Sequence, residues 1–269
     1  AALASTSSVP YSSAAVSKPT FIDIEDASWM WGILITDKDR VSTTGICNFP
    51  SHMGSLNYGY ASVGGWRRIS PKLYNQIPES DVRKGWFLDD TGVSVNLPAA
   101  AQAYITKKGA PVYTQVKYGP MNDEWGSNNN ATDVILMRVE EMYFIEAEAA
   151  AHQDMARGKK LIEDFMRNYR DKKYSVTAST KDALVEEIVF QKRVELWGEG
   201  QTFFDVKRLN YSVKRGYPGT NFYERCRFNT DGRPAWMNIV FVDQEQINNK
   251  ALVGWNNPDP SNKYTPWVK

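Results

Sequence analysis

The strongest structural signal in this chain lies in the segment Gln191-Lys-Arg-Val-Glu-Leu-Trp-Gly-Glu-Gly-Gln-Thr-Phe-Phe-Asp-Val-Lys-Arg208. Its pattern is helical, yet charged side chains stand among large apolar ones. The charged residues in question are Arg193, Glu195, Glu199, Asp205 and Arg208. Removing a charge from water costs several kcal/mol unless the charge is paired and hydrogen-bonded. The segment therefore predicts a fixed ion-pair network where two helices join, with a break at Gly198-Glu-Gly200.

Helical periodicity continues on the N-terminal side of this segment. Mostly apolar residues recur at spacings of three and four in three stripes. They are Leu136, Val139, Tyr143, Ala147 and Ala150; Leu161, Ile162, Phe165, Met166 and Tyr169; and Leu184, Ile188 and Gln191, with Phe190, Val194 and Trp197. The first helix is expected to begin at a cap on Thr132 or Asp133, the second after Gly158, and the third at Ser179 or Thr180. A fourth helix is expected over residues 201–209. The first two predict an antiparallel helical hairpin, the unit of a tetratricopeptide-type repeat.

The rest of the chain is rich in turn residues and favours loops with short strands. Strands are expected over residues 29–35, 93–97 and 112–117, and a short helix over 71–79 that Pro71 opens. Residues 41–68 contain many Gly, Ser and Asn and predict a long irregular loop. We therefore expect a mainly α, single-domain chain over 1–269, with loop-rich parts at 1–130 and 211–269 around a helical core at 131–210.

Composition excludes several classes of protein. A net charge of +1 gives no field that would drive the chain toward nucleic acid or an anionic membrane surface. The sequence contains no run of 18 apolar residues, which a membrane-spanning helix would need. Two cysteines, Cys47 and Cys226, are too few for a disulfide scaffold or a cysteine-based zinc site. Whether these two pair is left open by the sequence. We expect no metal site and no cofactor.

Four sequence blocks follow one another in a recognisable order. They are Arg68-Ile-Ser-Pro-Lys-Leu-Tyr-Asn-Gln-Ile-Pro-Glu-Ser-Asp-Val-Arg83, Ile135-Leu-Met-Arg-Val-Glu-Glu-Met-Tyr-Phe-Ile-Glu-Ala-Glu-Ala149, the segment 191–208, and Ile239-Val-Phe-Val-Asp-Gln-Glu-Gln-Ile-Asn-Asn249. In pattern and spacing they resemble the SusD/RagB family of nutrient-uptake lipoproteins, over roughly residues 20–250. Individual positions depart from the family pattern, among them Gln191, Lys192 and Thr202.

The resemblance implies a SusD-like superhelix of helical hairpins, of which this chain would be the C-terminal half. The whole protein would then be a non-catalytic, lipid-anchored protein of the outer membrane, with its anchor outside this chain. It would cover a SusC-like TonB-dependent transporter and pass captured oligosaccharide, or peptide in some members, inward. Nucleic acid is not an expected partner.

The best candidates for ligand contact are aromatic residues in the predicted loops. Tyrosine and tryptophan rings can stack on the flat faces of sugar rings, while arginine and asparagine side chains hydrogen-bond the hydroxyls. Burial as loop anchors, or contact with a transporter, would also account for these rings. The candidate residues are Tyr58, Tyr60, Trp66 and Arg67 in one loop, and Trp86, Tyr118, Asn122 and Trp125 in a second group.

Other functions remain open at the level of sequence. A glycoside hydrolase would need two carboxylates roughly 5–10 Å apart, and Glu195 and Glu199 are the pair that a helix would place on one face. A peptide-binding protein or a repeat-type adaptor that binds only proteins would also fit. Cys47 with His52 offers a nucleophile pair without a third, orienting group. Asn122, Asp123 and Glu124 offer oxygen ligands for calcium, although such residues are also typical of turns.

Overall fold

A computed structural model describes residues 21–39 and 48–258 of the chain. The predicted loop at 1–20 and residue Cys47 lie outside the described residues. The strands are β1 (Trp29–Ile33) and β2 (Val134–Arg138), and the helices are α1 (Phe49–Met53), α2 (Pro71–Tyr74), α3 (Ala99–Lys107), α4 (Val139–Gln153), α5 (Met155–Tyr169), α6 (Lys181–Glu195), α7 (Gln201–Arg208) and α8 (Asp243–Asn248). Short 3₁₀ helices lie at Val82–Trp86, Met121–Asp123, Glu224–Cys226, Ala235–Met237 and Lys250–Leu252.

The described residues form two compact units, one ending at Glu199 and the other beginning at Gly200. The first holds both strands and α1 to α6, and the second holds α7 and α8. The predicted mainly α fold class is confirmed, while the predicted division at 130 and 210 stays a prediction. None of the described helices has the length and apolar character that a membrane crossing would require.

Helices α4 and α5 form the expected hairpin and pack closely. Asp154 joins them, and its carboxylate accepts hydrogen bonds from the backbone N–H groups of Ala156 and Arg157 at 2.9 and 3.2 Å. This N-cap starts α5 at Met155, so Gly158 lies inside the helix and not before it. A Cβ atom on Gly158 would lie 2.6 Å from the Cα and N atoms of Ala151 in α4. A glycine is therefore required at this position, because the backbones of α4 and α5 are too close together to leave room for a side chain.

The start of α4 differs from the expectation. Residues 134–138 pair antiparallel with β1, with Gly32 opposite Ile135 and Ile33 opposite Val134, and the helix begins only at Val139. Asp133 does not cap the helix, since its carboxylate accepts hydrogen bonds from the backbone N–H groups of Ile24 and Ile35, both at 2.8 Å. Pairing with a distant strand has overridden the local helical period.

Two predicted strands are wrong, and three helices are absent from the sequence-based prediction. Residues 93–97 form turns held by the Asp89 carboxylate, which accepts from the N–H group of Val93 at 3.0 Å. Residues 112–117 make only isolated bridges, Thr114 to Arg68 and Gln115 to Phe87. The helix expected over 71–79 stops at Tyr74. Helix α1 lies inside the predicted irregular loop at 41–68, and α3 and α8 lie in parts that were expected to contain loops and short strands. The expectation for α6 is confirmed, since the Thr180 hydroxyl accepts from the N–H group of Ala183 at 3.2 Å.

The buried apolar residues of the first unit include two clusters that lie near the predicted loops. The first contains Phe21, Ile69, Tyr74, Ile77, Trp86, Phe87, Tyr118, Ile135 and Val194. The second contains Leu56, Leu88, Ala101, Ile105 and Val116, with Trp66 and Trp125 packed against it from outside. The second cluster is thus the floor beneath the aromatic loops that the sequence singled out.

Candidate ligand-binding surface

Two of the predicted aromatic loops are joined by backbone hydrogen bonds. The N–H group of Tyr58 donates to the carbonyl of Ser127, and the N–H group of Gly126 donates to the carbonyl of Leu56, both at 2.8 Å. These bonds place Tyr58 beside the turn that carries Trp125. The structure therefore unites the first group of candidates with one member of the second.

The loop that carries Tyr58 and Tyr60 is held from below by buried polar groups. The hydroxyl and the carbonyl of Ser51 accept hydrogen bonds from the backbone N–H groups of Tyr60 and Ala61, both at 2.9 Å. The side-chain amide of Asn57 donates to Asn130 at 2.5 Å in the buried interior. Because this support is fixed, the two tyrosines are presented on an ordered backbone.

The exposed part of the surface is built around Tyr60. The side chains of Tyr58 and Tyr60 are 48% and 47% exposed. The ring of His52 lies 5.0 Å from that of Tyr60 at 31°, and the guanidinium carbon of Arg67 lies 5.9 Å from the same ring centroid. Arg67 also donates to the carbonyl of Gly65 at 2.9 Å, which fixes its position. An aromatic face with fixed polar donors beside it is what stacking on a sugar requires.

The remaining aromatic candidates fall into two sets. Trp66 and Trp125 are partly buried against the second apolar cluster. Trp66 lies in the loop of the tyrosines, and Trp125 lies in the turn that is hydrogen-bonded to that loop. Trp86 and Tyr118 are only 1% and 4% exposed and belong to the first cluster. Because their rings have no free face for a sugar, the prediction that these two residues contact ligand is wrong.

Asn122 lies on the exposed 3₁₀ helix Met121–Asp123, where both it and Asp123 adopt left-handed backbone conformations, with φ of 55° and 56°. Asparagine and aspartate tolerate this conformation better than most residues, which explains their presence in a turn. Within the described part of the chain, no group of three or more His, Cys, Asp or Glu residues is placed to hold a metal ion. A role for Asn122 in ligand contact stays a prediction.

The predicted ion-pair network is confirmed at the C-terminal end of α6. The carboxylate of Glu195, fully buried, accepts from Arg138 at 2.7 Å, from Arg170 at 2.8 and 2.9 Å and from Arg83 at 3.3 Å. The carboxylate of Glu199 accepts from Arg138 at 2.9 Å through both oxygens. The arginines come from outside the segment that predicted the network.

Lys117 completes the network. Its ammonium donates to Glu199 at 2.5 Å and to the carbonyls of Glu195 and Trp197 at 3.0 and 3.1 Å. Both glutamates are therefore enclosed by cations, and neither faces an open cleft of the kind that a pair of hydrolytic carboxylates needs. The arrangement supports a structural role for Glu195 and Glu199.

The pKa values follow from this enclosure. Burial alone would raise the pKa of Glu195, but Arg170 and Arg138 outweigh it and hold that pKa well below its usual range. The pKa of Glu199 is likewise lowered, because Arg138 and Lys117 outweigh the effect of burial. Burial dominates for Lys117 and lowers its pKa from 10.5 to about 8.

We expect the ammonium of Lys117 to lose its proton near pH 8. Between about pH 8 and its ordinary pKa of 10.5, the folded protein then binds fewer protons than the unfolded chain. The contribution of Lys117 to the free energy of unfolding should therefore rise with pH across that window. The measurement is the ¹³Cε chemical shift of Lys117 between pH 6 and 11, assigned with Lys117→Met. A midpoint above pH 10 would contradict the prediction, since it would mean that the neighbouring carboxylates outweigh burial.

Comparison with known proteins places this architecture among recognised structures. The model of the SusD family matches residues 71–267. A solved SusD-like carbohydrate binding protein from Bacteroides vulgatus ATCC 8482 is 23% identical with a TM-score of 0.67, covering 96% of this chain and 54% of that one. A SusD superfamily protein from Bacteroides thetaiotaomicron VPI-5482 is 22% identical with a TM-score of 0.55, covering 78% of this chain and 43% of that one.

A second SusD superfamily protein from Bacteroides vulgatus ATCC 8482 is 17% identical with a TM-score of 0.60, covering 91% of this chain and 47% of that one. The chain thus spans about half the length of the solved proteins that it resembles. At these levels of identity the likeness concerns the fold. No curated protein matches the chain.

Proposed function

Because the chain belongs to the SusD family, we propose that it is part of a non-catalytic protein that binds oligosaccharide at the cell surface. The bound glycan would be delivered to a SusC-like TonB-dependent transporter in the outer membrane, and a lipid anchor outside this chain would hold the protein there. One observation supports the glycan assignment above the others. Two half-exposed tyrosines stand on a hydrogen-bonded loop that is tied to the turn carrying Trp125.

The chemistry of this surface suits a neutral, polar ligand with flat apolar faces. The rings of Tyr58 and Tyr60 would stack on the C–H faces of pyranose rings, and Arg67 and His52 would hydrogen-bond hydroxyl groups beside Tyr60. Such contacts involve no charge on the ligand, so the affinity should be modest and should change little between low and high salt. Trp66 and Trp125 would support the loops and offer their ring edges.

The test is affinity electrophoresis of the protein against a panel of neutral oligosaccharides, such as maltoheptaose, xylohexaose, mannohexaose and chitohexaose. Tyr60→Ala and Tyr58→Ala should each weaken binding to the best ligand by about 5-fold to 30-fold, the usual loss for an aromatic contact residue. Tyr223→Ala is the matched control, because Tyr223 is 70% exposed but lies in the second unit.

Two outcomes would overturn this assignment. If both tyrosine variants bind every glycan of the panel as tightly as the unchanged protein does, the tyrosine surface is not the glycan site. If none of the glycans retards the protein, and peptides tested in the same gels do, peptide cargo replaces oligosaccharide as the ligand. The half-buried tryptophans are poor test positions, since their removal would also disturb the apolar cluster beneath them.

A further inference from the structure

A cavity of about 680 Å³ lies in the first unit and shares no lining residue with the tyrosine surface. Its wall contains the aromatic rings of Tyr74, Tyr113 and Phe87. The ring of Tyr74 lies 5.1 Å from that of Tyr113 and 6.4 Å from that of Phe87. The volume is within the usual range for sites that hold small ligands, and the aromatic floor is a built feature of the core.

The charges around this cavity are mostly negative. Glu79, Asp89 and Asp90 line it, and Lys84 is the one cation among its lining residues in the described part of the chain. A fourth carboxylate, Asp81, is compensated from behind, because Arg83 lies 2.6 Å from it in the buried interior. The field inside the cavity should therefore favour a positively charged group.

The pKa of the Tyr74 phenol is shifted in the direction that this negative field predicts. Its pKa is raised to about 12, first by burial and then by Asp89, Glu79 and Asp90. The carboxylate of Asp89 remains a strong anion because hydrogen bonds from Thr91 and Val93 outweigh the effect of burial and lower its pKa. Three carboxylates thus act on the same aromatic floor.

The cavity already accommodates one ammonium group of the protein itself. The Nζ atom of Lys84 lies 4.9 Å from the ring centroid of Tyr74 and forms an ion pair with Glu79. An aromatic face with a carboxylate beside it is the arrangement that binds organic cations in proteins. Asp89 and Asp90 lie in the same wall and leave negative charge beyond what Lys84 compensates.

We propose that this cavity is a second binding site, one that takes a ligand carrying a primary ammonium group. The ammonium would lie against the tyrosine rings and Asp90, where it would compete with Lys84 for the same negative region. Two sources supply this chemistry, an amino sugar with a free amine and a lysine side chain of a peptide. The proposal does not depend on glycan binding at the tyrosine surface.

The experiment is an NMR titration of the backbone amides with three probes. Glucosamine and trilysine carry primary ammonium groups, and N-acetylglucosamine is the neutral match for the first. We expect one or both cationic probes to shift the amides of Lys84, Asp90 and Val95, and N-acetylglucosamine to leave them unchanged. Which cation binds identifies the source. Shifts with neither cation, or equal shifts with N-acetylglucosamine, would overturn the proposal.

Two substitutions test the charge mechanism. Asp90→Asn should weaken binding of the cationic probe by about 3-fold to 5-fold, the range for an exposed charge pair. Lys84→Met removes the competing ammonium while keeping an apolar stem, and it should strengthen binding by a similar factor. Asp164→Asn, on the exposed side of α5, is the control and should have no effect. Stronger binding by Asp90→Asn, or weaker binding by Lys84→Met, would contradict the mechanism. Tyr60→Ala should leave ammonium binding intact.

Discussion

Glu195→Gln should lower the free energy of unfolding by about 3 to 5 kcal/mol, the usual cost of breaking a buried ion pair. The carboxylate of Glu195 is fully buried and accepts hydrogen bonds from three arginines, Arg83, Arg138 and Arg170. An amide keeps the shape but has no charge and presents donors to donors. The arginines would then be left partly uncompensated in a buried site. Urea unfolding followed by circular dichroism measures the loss.

The control for this prediction is an ion pair on the surface. Lys160 and Asp164 lie 2.5 Å apart on α5, with both side chains at least half exposed. Asp164→Asn should leave the urea midpoint almost unchanged, because water and salt already screen that pair. A loss for Glu195→Gln as small as that for Asp164→Asn would show that the buried network contributes little to stability.

Gly158→Ala should destabilise the protein by about 1 to 3 kcal/mol, the usual cost of overpacking a close contact. In an isolated helix the same change would be stabilising by about 1 kcal/mol, since alanine has the higher helix propensity. Here the added Cβ would lie 2.6 Å from backbone atoms of Ala151, so α4 and α5 would have to move apart. The two effects have opposite signs, and the steric one should dominate. Thermal and urea unfolding both measure it.

Asn168→Ala is the matched control, because Asn168 is exposed on the same helix. This substitution raises helix propensity without a steric conflict, so it should be neutral or slightly stabilising. If Gly158→Ala stabilises the protein as much as Asn168→Ala does, the helices are not in contact at that point.

The candidate surface shows how far local sequence reasoning reaches. The loop with Tyr58 and Tyr60 was predicted from its glycines, aromatics and basic residues, and both tyrosines are exposed. Trp86, an aromatic candidate of the second group, lies instead in the core, because the chain folds over it from several distant segments. Exposure of a ring depends on what packs against it, and residue type and local composition do not record that.

No sequence motif indicates the cavity around Tyr74. Its carboxylates and rings are drawn from residues 74 to 113, a stretch in which the strand expected over 93–97 is absent. The individual residues were ordinary for loops. Their convergence on one cavity follows from the packing of Tyr74 and Tyr113 against each other, which is a tertiary event.

Helix α6, a cap at Ser179 or Thr180 and the need for an ion-pair network could be inferred from the amino acids alone, because periodicity, capping and the cost of burying charge act within a few residues. The identity of the cations could not. Arg83 lies 112 residues before Glu195 in the chain, and Lys117 lies 82 residues before Glu199. Contacts across such distances, like the strand β2 that replaced the start of a helix, exist only once the chain has packed, since each depends on free energy gained by the whole assembly of neighbours.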